Sequence, residues 1–220
     1  MIGRDIADYA ENNWTDFMAP LEEVSEGLVS GEMPLYHFDK IIGTMFREGS
    51  VPTSADSIIV TEKCIELIEF KRGFKRKITR QNFDKSKCMC PRDGNIYCKD
   101  YAELFFKCED KEIEELKSSI RLKAIESYII LEKDILPECE EQAKQRRIKF
   151  IAVIDADDVD AMEETLSELA GGKDNQENSI SSLKQSLGRL RSDDRKSYYY
   201  DDIEVYTPHE FQLHLEQITG

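Results

Sequence analysis

Apolar and polar residues recur along the chain with two periods, and the two periods predict different elements. Apolar positions spaced by three and four predict helices at 4–29, 38–47, 111–136, 158–169 and 180–190. Short apolar runs predict strands at 57–60, 64–70, 147–155 and 203–206. The first two strand segments flank a polar turn and predict a β-hairpin, while Thr207 and Pro208 begin a predicted terminal helix.

This order of elements predicts one α/β domain over 1–220, with a mixed sheet and helices on both faces. Its core covers about 20–155, and an irregular insertion interrupts the core at about 74–110. A polar, glycine-containing linker at about 170–178 precedes a C-terminal helix–strand–helix segment at 179–220.

Composition narrows the class of protein. The chain is 40% hydrophobic and 34% charged, which is typical of a soluble globular domain. No apolar run approaches the ~18 residues that span a bilayer, and the acidic N-terminus lacks the apolar segment of a secretory signal. We therefore expect a cytoplasmic protein that does not enter a membrane.

Charge is distributed unevenly. The net charge of −15 argues against a protein that coats nucleic acid through its overall charge. The segment from Lys71 to Lys87, however, contains eight basic residues and one acidic residue, Asp84, so its net charge is +7. The segment is either a solvated face or a local phosphate-binding surface.

The predicted hairpin carries three charged groups at one end. Strand alternation places Glu69 and Lys71 on one face, and a turn near 61–63 would bring Asp56 alongside them. Two carboxylates suit a hard cation such as Mg²⁺ or Mn²⁺, and an ammonium can orient a metal-bound water. A surface salt bridge explains the same spacing, and spacing alone leaves both interpretations open.

The stretch from Ala55 to Lys71, "AD" followed after twelve residues by "EFK", resembles the signature of the PD-(D/E)xK nuclease superfamily. The match departs from the pattern at the proline, because Pro52 lies four residues before Asp56. The core of this family commonly has the order α-β-β-β-α-β, and the predicted helix containing "LKAIES" and the strand "FIAVID" follow the Asp56 and Glu69 strands in that order. The resemblance implies a restriction-endonuclease-like or Holliday-junction-resolvase-like core, here with a basic, cysteine-containing insertion.

The resemblance also implies an activity, Mg²⁺- or Mn²⁺-dependent hydrolysis of DNA phosphodiester bonds. Asp56, Glu69 and the Phe70 carbonyl would bind the ion, Lys71 would position the attacking water, and Lys123 matches a polar residue on the later helix. Many members place an acid on the first helix, for which the candidates are Glu26, then Glu23 or Glu22. DNA phosphates would contact the basic residues just beyond the site, Lys75, Arg76, Lys77 and Arg80.

Alternatives to this activity stay open. The same fold can serve as a catalytically inactive nucleic-acid-binding or protein-assembly module. The acidic surplus outside the basic segment can face a protein partner, and the oligomeric state is open, a homodimer included.

Four cysteines and four aspartates form two further clusters. Cys88, Cys90, Cys98 and Cys108 could hold a structural Zn²⁺ as four thiolates, with free thiols as the simpler interpretation. Asp155, Asp157, Asp158 and Asp160 follow the apolar strand, and we predict that Asp157 or Asp158 caps the next helix.

Overall fold

The computed structural model describes residues 5–46, 49–74, 95–139, 143–156, 179–191 and 199–219, with backbone only for 95–106, 109, 144 and 219. Six strands form one open sheet in the order β1-β2-β3-β4-β5-β6. They are Met18–Pro20 (β1), Pro34–His37 (β2), Ser57–Val60 (β3), Cys64–Lys71 (β4), Arg147–Ile154 (β5) and Asp202–Tyr206 (β6).

Six α-helices accompany the sheet in the described ranges. They are Ile6–Asn13 (α1), Leu21–Val24 (α2), Phe38–Met45 (α3), Asn95–Ile130 (α4), Ser179–Leu187 (α5) and Pro208–Thr219 (α6). The fold is therefore α/β with a mixed sheet flanked by helices, as the sequence predicted. None of the described helices is both long enough and apolar enough to cross a lipid bilayer.

The type of strand pairing changes once across the sheet. Strands β1 to β4 pair antiparallel, whereas β5 pairs parallel with both β4 and β6. Two adjacent parallel strands need a crossover connection, and α4 lies in the connection between β4 and β5. Strand β5 consequently lies inside the sheet, and most of its residues are buried.

The prediction of one helix over 4–29 is wrong. The chain forms α1, a short 3₁₀ turn, strand β1 and the four-residue α2 within that range. Pro20 explains the break, because proline disfavours the helical conformation in the preceding residue and fits an edge strand. Strand β1 pairs with β2, with Pro20 opposite Pro34, and α2 forms the connection between these two strands along the chain.

The prediction of an irregular insertion is wrong over its second half. Helix α4 begins at Asn95, whereas the helical pattern predicted a start near residue 111. After Ile130 the chain continues as a π-helical turn to Ile135 and a 3₁₀ turn to Glu138. The predicted helix 158–169 and the linker 170–178 lie outside the described residues.

The sheet buries both of its faces, and this decides where the charged end of the hairpin lies. One face, which includes Leu67 and Phe150, packs against α1, α3, α4 and α5. The other face, which includes Ile68 and Ile151, packs against α2 and α6. Because side chains alternate along β4, Glu69 lies on the same face as Leu67, beneath α4.

Candidate functional site

Asp56 and Glu69 lie directly opposite each other at one end of the β3–β4 hairpin. The ladder pairs Ser57 with Ile68, so Asp56 lies across from Glu69, one position beyond the last paired residues. Asp56 retains a side-chain exposure of 20%, whereas the side chain of Glu69 is completely buried. The hairpin thus brings one accessible and one buried carboxylate together.

A lysine from α4 binds both carboxylates. Lys123 Nζ donates to Asp56 Oδ1 at 3.0 Å and to Glu69 Oε2 at 2.8 Å. The next turn of the helix holds the loop that leads into β3: Ser127 Oγ accepts from Ala55 N at 2.7 Å, and Glu126 Oε2 accepts from Thr53 N at 2.6 Å. Helix α4 therefore places an ammonium at the site and fixes the approach to Asp56.

The remaining carboxylate oxygens differ in how they are satisfied. Asp56 Oδ2 accepts from Phe70 N at 2.8 Å. In a strand the N–H and C=O of one residue face the same neighbour, so the Phe70 carbonyl also faces the Asp56 side. Within the described part of the chain, Glu69 Oε1 is buried and has no hydrogen-bond partner. A buried acceptor without a partner costs about 1–3 kcal/mol, and a bound cation would remove that cost.

Burial and neighbouring charge set the protonation of the site. Burial, and then the charge of Asp56, raise the pKa of Glu69 to about 8, although Lys123 and Lys71 act in the opposite direction. Burial lowers the pKa of Lys123, but Glu69 and Asp56 outweigh this effect and leave it above its ordinary value. Without a metal ion, the site therefore favours a protonated Glu69 beside the Lys123 ammonium.

The site opens into a cleft of about 490 Å³ that continues around the end of the sheet. Asp56, Glu69, Phe70, Lys71 and Lys123 all line this cleft. The structure thus brings the sequence-predicted residues of the hairpin and of α4 to one accessible place. Lys71 acts on Glu69 through its charge, whereas Lys123 makes the direct contacts to both acids.

The predicted first-helix acid lies at the cleft but not on a helix. Glu26 follows the end of α2 and has a φ of 52°, in the left-handed region, so its placement on a helix is wrong. Its side chain is exposed and lines the cleft, as does that of Glu23, whose carboxylate pairs with Lys40 at 3.3 Å. Glu22 lies in the first turn of α2 and is exposed.

Sequence reasoning missed two polar groups of the cleft wall, His37 and Asp39. His37 Nδ1 contacts Asp39 Oδ1, and both residues line the cleft. Burial raises the pKa of Asp39, but the close contact with His37 and its charge outweigh burial and hold the pKa below its usual range. The available signal was an acid in the first turn of a well-predicted helix, which is ordinarily explained by the helix dipole.

The oxygen atoms of the site suit a hard divalent cation better than a soft one. The described residues contain no group of three or more His, Cys, Asp or Glu side chains arranged to hold a metal ion. A Mg²⁺ ion does not need such a group, because it usually keeps several waters and binds one or two carboxylates together with phosphate oxygens. Two carboxylates and one carbonyl therefore fit Mg²⁺ or Mn²⁺.

Two predicted groups lie largely outside the described residues. The basic residues Lys75, Arg76, Lys77 and Arg80 are all outside, as are Cys88, Cys90 and the side chain of Cys98. Cys108 lies on α4 and is exposed. The DNA contacts and the Zn²⁺ site therefore stay predictions.

Comparisons of the chain with protein-family models, with curated proteins and with solved structures found no match.

Proposed function

We propose that the protein is a metal-dependent nuclease that hydrolyses DNA phosphodiester bonds at Asp56, Glu69, Lys71 and Lys123. The observation that carries the proposal is the buried Glu69, whose Oε1 has no partner among the described residues and whose Oε2 lies 2.8 Å from Lys123 Nζ. A fully buried carboxylate at the end of an open cleft destabilises the folded protein, and a bound cation would offset that destabilisation.

Asp56, Glu69 and the Phe70 carbonyl would hold the Mg²⁺ or Mn²⁺ ion. When bound, such an ion polarises a phosphoryl oxygen and makes a bound water more acidic. The Phe70 N–H keeps Asp56 turned toward this position through its 2.8 Å hydrogen bond. Burial of Glu69 excludes water from one side, which strengthens the attraction between its carboxylate and a cation.

The two lysines have separate roles in this proposal. Lys123 contacts both acids in the free protein and keeps Asp56 and Glu69 close together. Lys71 lines the cleft beyond them, where its ammonium can orient a water and stabilise negative charge that develops on a phosphate. Substitution of Lys71 should therefore reduce cleavage, whereas substitution of Lys123 should reduce the stability of the free protein.

The arrangement of elements supports a restriction-endonuclease-like core. The order α2, β2, β3, β4, α4, β5 corresponds to the α-β-β-β-α-β order that the resemblance implies, with α3 added between β2 and β3. Three strands of this set pair antiparallel and the fourth parallel, with Asp56 and Glu69 at the end of the central pair.

The choice of DNA as substrate is supported by charge along the chain. Lys71 and Arg72 line the cleft, and the chain leading away from them contains Lys75, Arg76, Lys77 and Arg80. Phosphate contacts of this kind position a nucleic acid without reading its sequence. Because the rest of the chain is acidic, we expect weak binding that falls steeply as salt rises.

Cleavage of a labelled DNA panel tests the proposal. The panel contains single strands, duplexes, flaps and four-way junctions, each incubated with Mg²⁺, Mn²⁺ or EDTA. Asp56→Asn, Glu69→Gln and Lys71→Met should each abolish metal-dependent cleavage while retaining the fold. Glu66→Gln is the matched control, because Glu66 is also a buried carboxylate of β4 but lies on the opposite face. Undiminished cleavage by the variant carrying all three site substitutions contradicts the proposal.

One observation favours a second candidate, a catalytically inactive nucleic-acid-binding or assembly module of the same fold. Lys123 binds both carboxylates and can serve as their permanent counter-ion. Calorimetry with Mn²⁺ separates the candidates: the nuclease binds the ion, and Asp56→Asn weakens binding. The inactive module takes up no ion and binds DNA equally well with and without metal.

A further inference from the structure

Asp155 has no part in the proposed chemistry, yet it lies beside the strand that carries the site. It directly follows β5, whose last residue, Ile154, pairs with Lys71 at the end of β4. The sequence pattern grouped Asp155 with acids predicted to cap the following helix. Its carboxylate instead binds backbone that leaves β4.

Both carboxylate oxygens of Asp155 accept hydrogen bonds from consecutive backbone amides. Oδ2 accepts from Gly73 N at 2.9 Å, and Oδ1 accepts from Phe74 N at 2.7 Å. The backbone N–H of Asp155 donates to the Lys71 carbonyl at 3.2 Å. One aspartate therefore makes three hydrogen bonds to the stretch from Lys71 to Phe74.

The same stretch is constrained by its own residues. Gly73 has a φ of 105°, and a Cβ atom there would lie only 3.0 Å from Leu116 Cδ1 of α4. The next residue, Phe74, is 2% exposed and packs in the core on the α4 face of the sheet. The chain thus leaves β4 along a narrow path, and Asp155 supplies the polar partners of that path.

The path of the chain through Gly73 and Phe74 determines the position of two basic side chains of the cleft. Lys71 and Arg72 precede Gly73, and both line the cleft. Arg72 Nη2 donates to the Glu26 carbonyl at 2.9 Å. Glu26 and Gly27 both have left-handed backbone, with φ values of 52° and 73°. Arg72 thereby connects the exit of β4 to the loop that contains Glu26 and Leu28, which also line the cleft.

We infer that Asp155 is a positioning residue that, by binding Gly73 N and Phe74 N, holds Lys71 and Arg72 at the cleft. Its effect on catalysis rests on the proposed function, whereas its effect on the cleft wall does not. The experiment therefore has one arm that needs no activity and one arm that does.

Asp201 offers a matched control at the opposite end of β5. Its Oδ2 accepts from Ile148 N at 2.7 Å, and its N–H donates to the Ile148 carbonyl at 2.9 Å. Asp201→Asn should disturb an aspartate–backbone contact of similar geometry while leaving the cleft intact. Asp155→Asn is the principal variant, because the Asn side chain keeps the shape of Asp and one acceptor oxygen. It can therefore be measured even if Asp155→Ala does not fold.

The first arm measures amide hydrogen exchange in the free protein. Asp155→Asn should speed exchange about tenfold at whichever of Gly73 N and Phe74 N loses its acceptor, the effect of losing one hydrogen bond. Amides of the 26–28 loop should also exchange faster, and Arg72→Gln should reproduce this loop effect alone. Asp201→Asn should affect Ile148 and leave the loop unchanged. If the amides of the 26–28 loop exchange at the wild-type rate in Asp155→Asn, the inference is overturned. This holds whether or not the exchange rates of Gly73 and Phe74 change.

The second arm measures single-turnover cleavage of DNA with Mg²⁺ and calorimetric binding of Mn²⁺. Asp155→Asn should slow cleavage about 10- to 100-fold, because a catalytic group displaced by ~1 Å costs up to this factor, while Mn²⁺ affinity stays within threefold. Equal cleavage by Asp155→Asn and Asp201→Asn overturns the inference. If the wild-type protein cleaves none of the DNA panel, the proposed function fails and the exchange arm still decides the role of Asp155.

Discussion

Replacing Glu69 by Gln should change how the stability of the metal-free protein depends on pH. The pKa of Glu69 is raised from 4.5 to about 8 in the folded protein, chiefly by burial. A raised folded-state pKa contributes stability that is fully present below the unfolded pKa and is lost as pH rises through the folded pKa. Gln resembles the protonated acid and cannot lose a proton, so the variant lacks this pH-dependent contribution.

The size of the effect follows from the two pKa values. Between pH 5 and pH 8 the linkage relation removes roughly 3–4 kcal/mol from the unfolding free energy of the wild-type protein. The side chain is fully buried, so solvent screening does not reduce this figure as it would for a surface group. The stability of Glu69→Gln relative to wild type should rise by that amount over the same interval.

Urea unfolding at a series of pH values with EDTA measures this difference. Trp14 is the one tryptophan of the chain and is 3% exposed, so its fluorescence reports unfolding. Glu66→Gln is the control of opposite sign, because the pKa of Glu66 is lowered: burial raises it, but His214 and Lys149 outweigh burial. Parallel pH profiles for wild type and Glu69→Gln would refute the reasoning about the buried carboxylate.

Three further predictions use the same unfolding measurement. Mn²⁺ at pH 8 should stabilise the wild-type protein but not Asp56→Asn or Glu69→Gln, and equal stabilisation of all three would contradict a site at these acids. Lys123→Met should cost roughly 2–4 kcal/mol at pH 7, less than a fully buried ion pair because Lys123 is 22% exposed; an unchanged midpoint would show that the ammonium does not stabilise the paired acids. Glu66→Gln should cost about 1.5–3 kcal/mol at pH 7 through its bond to His214, with the cost vanishing as pH falls; a cost independent of pH would exclude the carboxylate charge of Glu66 as its cause.

Most elements in the described ranges could be predicted because their patterns are local. The hairpin β3–β4, helix α3 and strand β5 each have an apolar pattern that is complete within a few residues. Strands β1 and β2 were missed, since three or four residues are too few to show alternation. The start of α4 was missed because the cysteine spacing suggested a metal-bound loop across 95–110.

The sequence by itself predicted that Asp56 and Glu69 meet if the hairpin turns near 61–63. They belong to two adjacent strands joined by a short turn, and the register of a hairpin is decided by its turn and by strand alternation. The resemblance added Lys123 as a candidate, but no local pattern connects it to acids that lie 67 and 54 residues away.

Only the tertiary structure decided how that pair of acids is used. Packing of α4 on the sheet buries Glu69, leaves one of its oxygens without a partner in the described residues, and brings Lys123 rather than Lys71 into contact with both acids. Parallel pairing of β5 with β4 places Asp155 beside the exit of β4. These contacts depend on which surfaces pack together from distant parts of the chain. Burial in those contacts then sets the energy of each charged group. The periodicity of apolar residues is local and therefore cannot predict either of them.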